Sequence, residues 1–313
     1  MTESMIESMI ERYVKKLIEN VPISSSGKPE VMDLILDGGI FNGSYQIGSL
    51  YFLREMENQN KIKIDKISCC SIGAICAILY HINKLELSIK IYDSTLKHFK
   101  KHKKLEIMHS FIDNNIRPLL PLDIHKQLSN KLYICYYDVK KQKKVIRKNY
   151  KSIDDLLNTI KRSSFVPFLI NGDLAYEKKY VDGMNPYILK CEPNKKILYI
   201  DLFGYDKFFY ALSVKNEKTN FHRILSGVLD IHLFFIKHSS TQMCSYVNRW
   251  SALEWTRNKV FKCAFEKAAL YCMGLYIVLK KYIPEQFKDS LVMKVFQRVI
   301  QELASIAIDH FCF

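Results

Sequence analysis

The stretch Ile67-Ser68-Cys69-Cys70-Ser71-Ile72-Gly73-Ala74 decides how this chain is read. A β-branched, apolar run ends at a serine, and small and apolar residues suited to a helix follow directly. A strand that turns sharply into a helix at Ser71 presents its hydroxyl at the carboxyl end of a sheet. The first N–H groups of the helix then point at whatever that hydroxyl attacks. The same residues also fit an ordinary strand-to-helix joint, since serine is common in turns. The flanking chain decides between the two.

Upstream, Val31 to Leu36 reads as a buried strand and runs into Asp37-Gly38-Gly39-Ile40-Phe41-Asn42-Gly43. Ile47, Leu50, Leu53 and Met56 then mark one face of a helix. Glycines in such a loop admit a ligand close to the backbone and leave N–H groups exposed, as a phosphate cradle or an oxyanion hole requires. No Gly-Lys-Ser/Thr follows and Gly-x-Gly-x-x-Gly is absent, which argues against a nucleotide site. Ile62 to Ser68 is a second strand and Ile72 to Ile82 a second helix. Two successive strand–loop–helix units predict an α/β fold with a central, mostly parallel sheet flanked by helices. Both loops then share the carboxyl edge of that sheet, where open α/β folds place their ligands.

Further along, Leu85 to Phe99 predicts a helix ending in Lys97-His98-Phe99-Lys100-Lys101-His102-Lys103-Lys104. This is a solvated cationic helix end or a headgroup-binding patch with Phe99 dipping into lipid. The chain around Pro118 and Pro121 reads as irregular, Leu132–Asp138 and Lys144–Lys148 as a hairpin, and Ser152 with Asp155 as the cap of a short helix to Lys161. A loop at Arg162–Phe168 precedes a short strand, Glu177–Val181, that ends in Asp182-Gly183. By itself an Asp-Gly there is a turn. Ile197–Leu202 is another buried strand. Residues from Gly204 on carry helical patterns over Phe221–Lys237, Trp250–Lys281 and Pro284–Phe311, with aromatics interleaved with Lys and Arg. They suit packing helices, a cap over the sheet or a membrane-facing surface. At the other end, Met5/Ile6, Met9/Ile10, Tyr13/Val14 and Leu17/Ile18 form one apolar stripe, expected to dock on the domain, with Ser4 and Glu7 as its capping box.

With 48% hydrophobic residues, 11 Gly and 8 Pro in 313, the chain is core-forming. The net charge of +15 calls for an anionic partner. No nucleic-acid fold motif stands behind that charge, so an anionic membrane surface is expected and nucleic acid is not. Nine cysteines without metal-type spacing read as reduced thiols, with no metal site. Met1-Thr2-Glu3-Ser4-Met5 lacks the pattern of a secretory signal, and Ala268–Leu279 is too short to span a bilayer. The expected location is cytoplasmic, with peripheral membrane contact.

Three pieces stand in one order: Asp37-Gly38-Gly39-x-x-x-Gly43, Cys69-x-Ser71-x-Gly73 and Asp182-Gly183. Together they resemble the patatin-like phospholipase family, whose pattern is Asp-Gly-Gly-Gly-x-Arg/Lys-Gly, Gly-x-Ser-x-Gly and Asp-Gly-Ala/Gly. Gly48 follows at the family's interval, and Arg162-Ser163-Ser164 with Pro167 precedes the aspartate as it does there. The resemblance spans Val31 to Leu202. It implies a three-layer α/β/α core over residues 28–203, preceded by a helix and linker (1–27) and followed by a helical region packing on the core (204–313).

It also implies an acyl-lipid hydrolase that uses no cofactor and acts on phospholipid or another acyl lipid. Ser71 would be the nucleophile and Asp182 its base, with N–H groups of Gly38, Gly39 and Ile40 as oxyanion donors. Such donors are worth about 3–4 kcal/mol each where they have been removed. The departures are Ile40 for the third glycine, Asn42 for the Arg/Lys, Cys69 for the first glycine of the serine motif, and Met184 after Asp182-Gly183. They leave a second expectation open, a degenerate relative that binds lipid or a protein partner through the same cleft. A Ser–Asp–His triad using His222, His232 or His238 is a third possibility without a motif behind it.

Overall fold

The computed structural model of the chain describes residues 3–22, 28–193, 195–202, 211, 213–282 and 295. Its strands are β1 Glu30–Leu36, β2 Ile62–Cys70, β3 Leu132–Asp138, β4 Lys143–Arg147, β5 Tyr180–Asp182, β6 Lys196–Ile200 and β7 Cys244–Tyr246. They form one mixed sheet in the order β4-β3-β2-β1-β6-β7, with β5 also paired to β3. The four central strands β3, β2, β1 and β6 are parallel, and β4, β5 and β7 join antiparallel. The helices are α1 Glu3–Glu19, α2 Gly43–Asn58, α3 Ile72–His81, α4 Leu87–His102, α5 Ile107–Phe111, α6 Ile124–Gln127, α7 Ile153–Ser163, α8 Phe221–Lys237, α9 Ala252–Trp255 and α10 Lys262–Tyr282. A π-helical segment, Thr256–Phe261, joins α9 to α10. This is the expected α/β fold, a mostly parallel sheet flanked by helices.

Strand β1 sits at the centre and is buried on both faces from Met32 on, which is why it is mostly apolar; its one charged residue there, Asp33, is paired with Lys195 at 2.7 Å. Met32, Leu34 and Leu36 face the larger core, which holds Leu50 and Leu53 of α2, Ile78 of α3, Phe99 of α4 and Ile231 of α8. Ile35 points the other way, into a smaller cluster with Leu189, Ile197, Tyr199 and Val247. The N-terminal stripe docks: Ile10, Val14 and Ile18 are buried, and α1 packs on α2 and α8. The Ser4 half of its expected capping box lies outside the described side chains. Ser152 caps α7 by accepting the Asp155 N–H.

Three expectations change. The basic helix α4 runs on to His102, and Phe99 is fully buried against Phe41 rather than available to lipid. The chain before Pro121 is not irregular: α5, a π turn at Ile112–Ile116 and a 3-10 turn at Arg117–Leu119 follow one another, with Pro118 inside the first turn where its missing N–H is harmless. The region expected to be wholly helical contributes β7, antiparallel to β6. Three residues are too short for a periodic signal. Pro284–Phe311, expected to be helical, lies outside the described residues but for Val295. Among the described residues no helix is long and apolar enough to cross a membrane.

Candidate active site

β2 ends at Cys70, and Ser71 makes the turn into α3 with φ 52° and ψ −130°. A residue with a Cβ seldom adopts that conformation, and it persists only where its surroundings impose it. The surroundings here are specific. The Ser71 N–H donates to Ser163 Oγ at 2.9 Å, and Ser163 Oγ donates in turn to the Cys135 carbonyl at 2.5 Å. α3 starts close against the loop after β1, since a Cβ on Gly73 would lie 2.7 Å from the Asp37 carbonyl oxygen. Cys69, where the family pattern has glycine, is accommodated because its side chain points into the core, with Sγ 3.5 Å from the Tyr133 carbonyl.

Asp182 reaches the serine through strand pairing. One edge of β3 pairs with β4, so its other edge must serve both β2, over Leu132–Cys135, and β5, over Tyr136–Asp138. β5 therefore continues the line of β2 beyond its end, with Asp182 opposite Tyr136, next to the residue that pairs with Cys70. Ser71 lies beside the Asp182 carboxyl, near enough for its side chain to favour the ionised form. That carboxyl accepts the Met184 N–H at 2.8 Å, and the Asp182 N–H donates to the Phe165 carbonyl at 2.9 Å. Burial pushes its pKa up to about 6, against the lowering effect of Ser71 and the Met184 N–H. Gly183 lies tight against the Cys135 carbonyl.

The glycine loop touches the same point. A Cβ on Gly38 would stand 3.1 Å from Ser71 Cβ. The Gly38 N–H, expected as an oxyanion donor, is engaged by Asp37 Oδ1 at 3.0 Å. A buried carboxylate takes the nearest donor. The N–H groups of Gly39 and Ile40 have no hydrogen-bond partner among the described residues. Gly39 has φ 154° and Ile40 φ 49°, so the β-branched residue in the family's third glycine position does occupy the costly left-handed region. Gly43 packs against Ile72 and starts α2. An apolar cavity lined by Ile40, Ile72, Ile75, Tyr92, Leu105 and Met108 opens between this loop and α3.

Much of what holds the loop was not legible beforehand. The register Leu36↔Ile200 sets Asp37 beside Asp201. Lys262, the first residue of α10, reaches between them, 2.6 Å from Asp37 Oδ2 and 2.9 Å from Asp201 Oδ1. Tyr199 donates its hydroxyl to Asp37 Oδ2 at 2.9 Å and accepts from Lys262 at 2.7 Å. Burial pushes the Asp37 carboxyl up. Burial also opposes the charge on Lys262, but the two carboxylates outweigh it and raise its pKa.

Asn42, where the family has Arg/Lys, is fully buried and accepts from Arg223 at 2.6 Å. The cation missing from the motif thus arrives from α8, where Glu217 also binds it at 2.7 Å. Glu266 holds Lys144 at 2.9 Å and Asn185 at 2.7 Å. No local motif marks Lys262, Arg223 or Glu266, because each acts across the fold. Ser163 enters the sequence pattern only through Arg162-Ser163-Ser164, ahead of the aspartate.

By sequence, neither known families nor curated proteins match this chain. Among solved structures, the crystal structure of VipD from Legionella pneumophila is similar at a TM-score of 0.31 and 14% identity, over 56% of this chain and 52% of that one. The match thus spans about half the length of that protein.

The other candidate bases all lie on α8 or at its end. His232 packs on Phe52, His222 pairs with Glu217, and His238 ends α8 in the left-handed region. A strained serine beside a buried carboxyl, with two N–H groups that have no partner among the described residues, can deliver an activated alkoxide to a carbonyl and hold the charge that develops.

Proposed function

We propose that the chain is a lipid acyl hydrolase of the phospholipase A type, working through a Ser71–Asp182 dyad. The observation that carries this reading is the placement of Ser71, held at φ 52°, beside Asp182, a buried carboxyl whose pKa of about 6 leaves it ionised at neutral pH. Asp182 takes the hydroxyl proton as Ser71 attacks an acyl ester carbonyl. The Gly39 and Ile40 N–H groups bind the oxyanion. The alcohol, a lysolipid, leaves with that proton, and water then releases the fatty acid from acyl-Ser71. The cavity beside Ile40 and Ile72 suits an acyl chain in its apolar lining. The motif order resembles that of the patatin-like phospholipases, and lipid as substrate accords with the net charge of +15.

A fluorophosphonate probe tests the dyad. Stoichiometric labelling of the wild-type chain that Ser71→Ala abolishes, with release of fatty acid from phospholipid vesicles, is the expected result. Folded protein that takes no label overturns it.

One observation favours a second reading, a degenerate relative that binds lipid or a protein through the same cleft. Ile40 sits at φ 49°, where a β-branched side chain is strained. In that case Ile40→Gly, which restores the family's glycine, confers labelling that the wild type lacks.

A further inference from the structure

The helix over residues 252–275 is turned inside out. Asn258, Lys262, Glu266 and Leu270 recur every four residues on the side facing the protein, and three of the four are polar. Leu253, Val260, Phe261, Tyr271 and Leu275 face away, Phe261 66% and Tyr271 71% exposed. A helix on a water-exposed surface has the opposite pattern, with its apolar stripe toward the core. Here the inward side chains bind Asp37, Asp201, Lys144 and Asn185, and the apolar side is left outward as one continuous strip. Exposed apolar strips of this kind mark contact surfaces.

We infer that this outward face seats the protein on an anionic phospholipid bilayer. The choice of a bilayer rests on the lipid-hydrolase reading of the site underneath, and charge supports it independently. Arg257, Lys259 and Lys267 are exposed on the same helix, and Lys259 lies 4.0 Å over the Trp255 ring, a basic–aromatic pairing suited to the headgroup level. Phe261 and Lys262 are successive residues, one facing outward and the other on Asp37. About one helix diameter, some 10 Å, therefore separates the bilayer from the glycine loop.

The test is sedimentation of the full chain with vesicles of phosphatidylcholine alone or mixed equally with phosphatidylglycerol, with mass measured in solution beforehand. The expected result is preferential binding to the anionic vesicles, weakened by added salt and by Lys267→Glu. Phe261→Gln with Leu275→Gln should weaken it about tenfold or more. In a Trp250→Phe background, Trp255 emission should shift to the blue on binding. Ser71→Ala should bind as the wild type does, so docking is read independently of catalysis. Vesicle binding that is absent, or unchanged by Phe261→Gln/Leu275→Gln, overturns the inference. So does a dimer that the double substitution converts to monomer, because the face then belongs to a second copy. If labelling at Ser71 persists in either case, only the docking surface has failed and the hydrolase reading stands.

Discussion

Lys262 Nζ lies 2.6 Å from Asp37 Oδ2, joining the glycine loop to a helix 225 residues away in the chain. Asp37 is completely buried and Asp201 nearly so, and the ammonium stands between them. Lys262→Met leaves two buried carboxylates facing each other without compensation. Breaking such a group from one side costs about 3–5 kcal/mol. Urea denaturation should show a loss of that order, and Lys262→Met combined with Asp201→Asn should recover part of it.

Asp182 must be ionised to accept the Ser71 proton, and its pKa is raised to about 6. Fluorophosphonate labelling should therefore rise with pH through about 6 and level off above it. A profile flat from pH 5 to 8 would exclude Asp182 as the base.

The same shift has a consequence for stability with the opposite sign. An acid whose folded pKa lies above its unfolded value favours folding while protonated, and that contribution is lost as pH rises from 3.8 to about 6. At pH 7.5 the buried carboxylate is a net liability. Asp182→Asn should stabilise the fold there by about 1–3 kcal/mol while abolishing labelling, and the gain should shrink below pH 4. Thermal melts at the two pH values measure it.

Ser71→Ala keeps the Cβ and with it the backbone strain, whereas Ser71→Gly removes both. With φ 52° and ψ −130° at this residue, the glycine variant should be the more stable of the two by about 1 kcal/mol, after the entropy cost of glycine. Both should be unlabelled. Equal stability would mean that the turn holds no strain.

Helices α2 and α8 meet backbone to backbone. A Cβ on Gly48 would fall 1.9 Å from the Ile224 carbonyl oxygen, and one on Gly227 2.0 Å from that of Tyr45. Gly48→Ala should force the helices apart and cost about 3 kcal/mol or more in chemical denaturation, beyond ordinary overpacking of a side chain.

The sheet and the three motif segments were legible because each is local. β1 and β2 are rich in β-branched and apolar residues and end in apolar stretches, and the turns at Asp37, Ser71 and Asp182 are marked by the residues next to them. That the three meet at one edge follows from parallel crossovers for the first two. For Asp182 it depends on β5 extending the line of β2, a pairing that no spacing in the sequence reveals. Lys262, Arg223 and Glu266 were hidden for another reason. A buried ion pair leaves no periodic or compositional trace when its partners are far apart in the chain. Helix α10 reads as ordinary amphipathic sequence, and only its orientation shows that the polar side is the buried one.

The sheet order has a consequence for the timing of synthesis. β6 lies beside β1, and Lys262 follows β6 by more than sixty residues. The nucleophile and the glycine loop emerge from the ribosome first, and the partners that fix Asp37 and Asn42, Lys262 and Arg223, follow more than 150 residues later. A nascent chain carrying Ser71 and Asp182 still lacks the groups that hold its glycine loop. The site is thus completed only after Lys262 has been made, and a product cut short before it is released without that support.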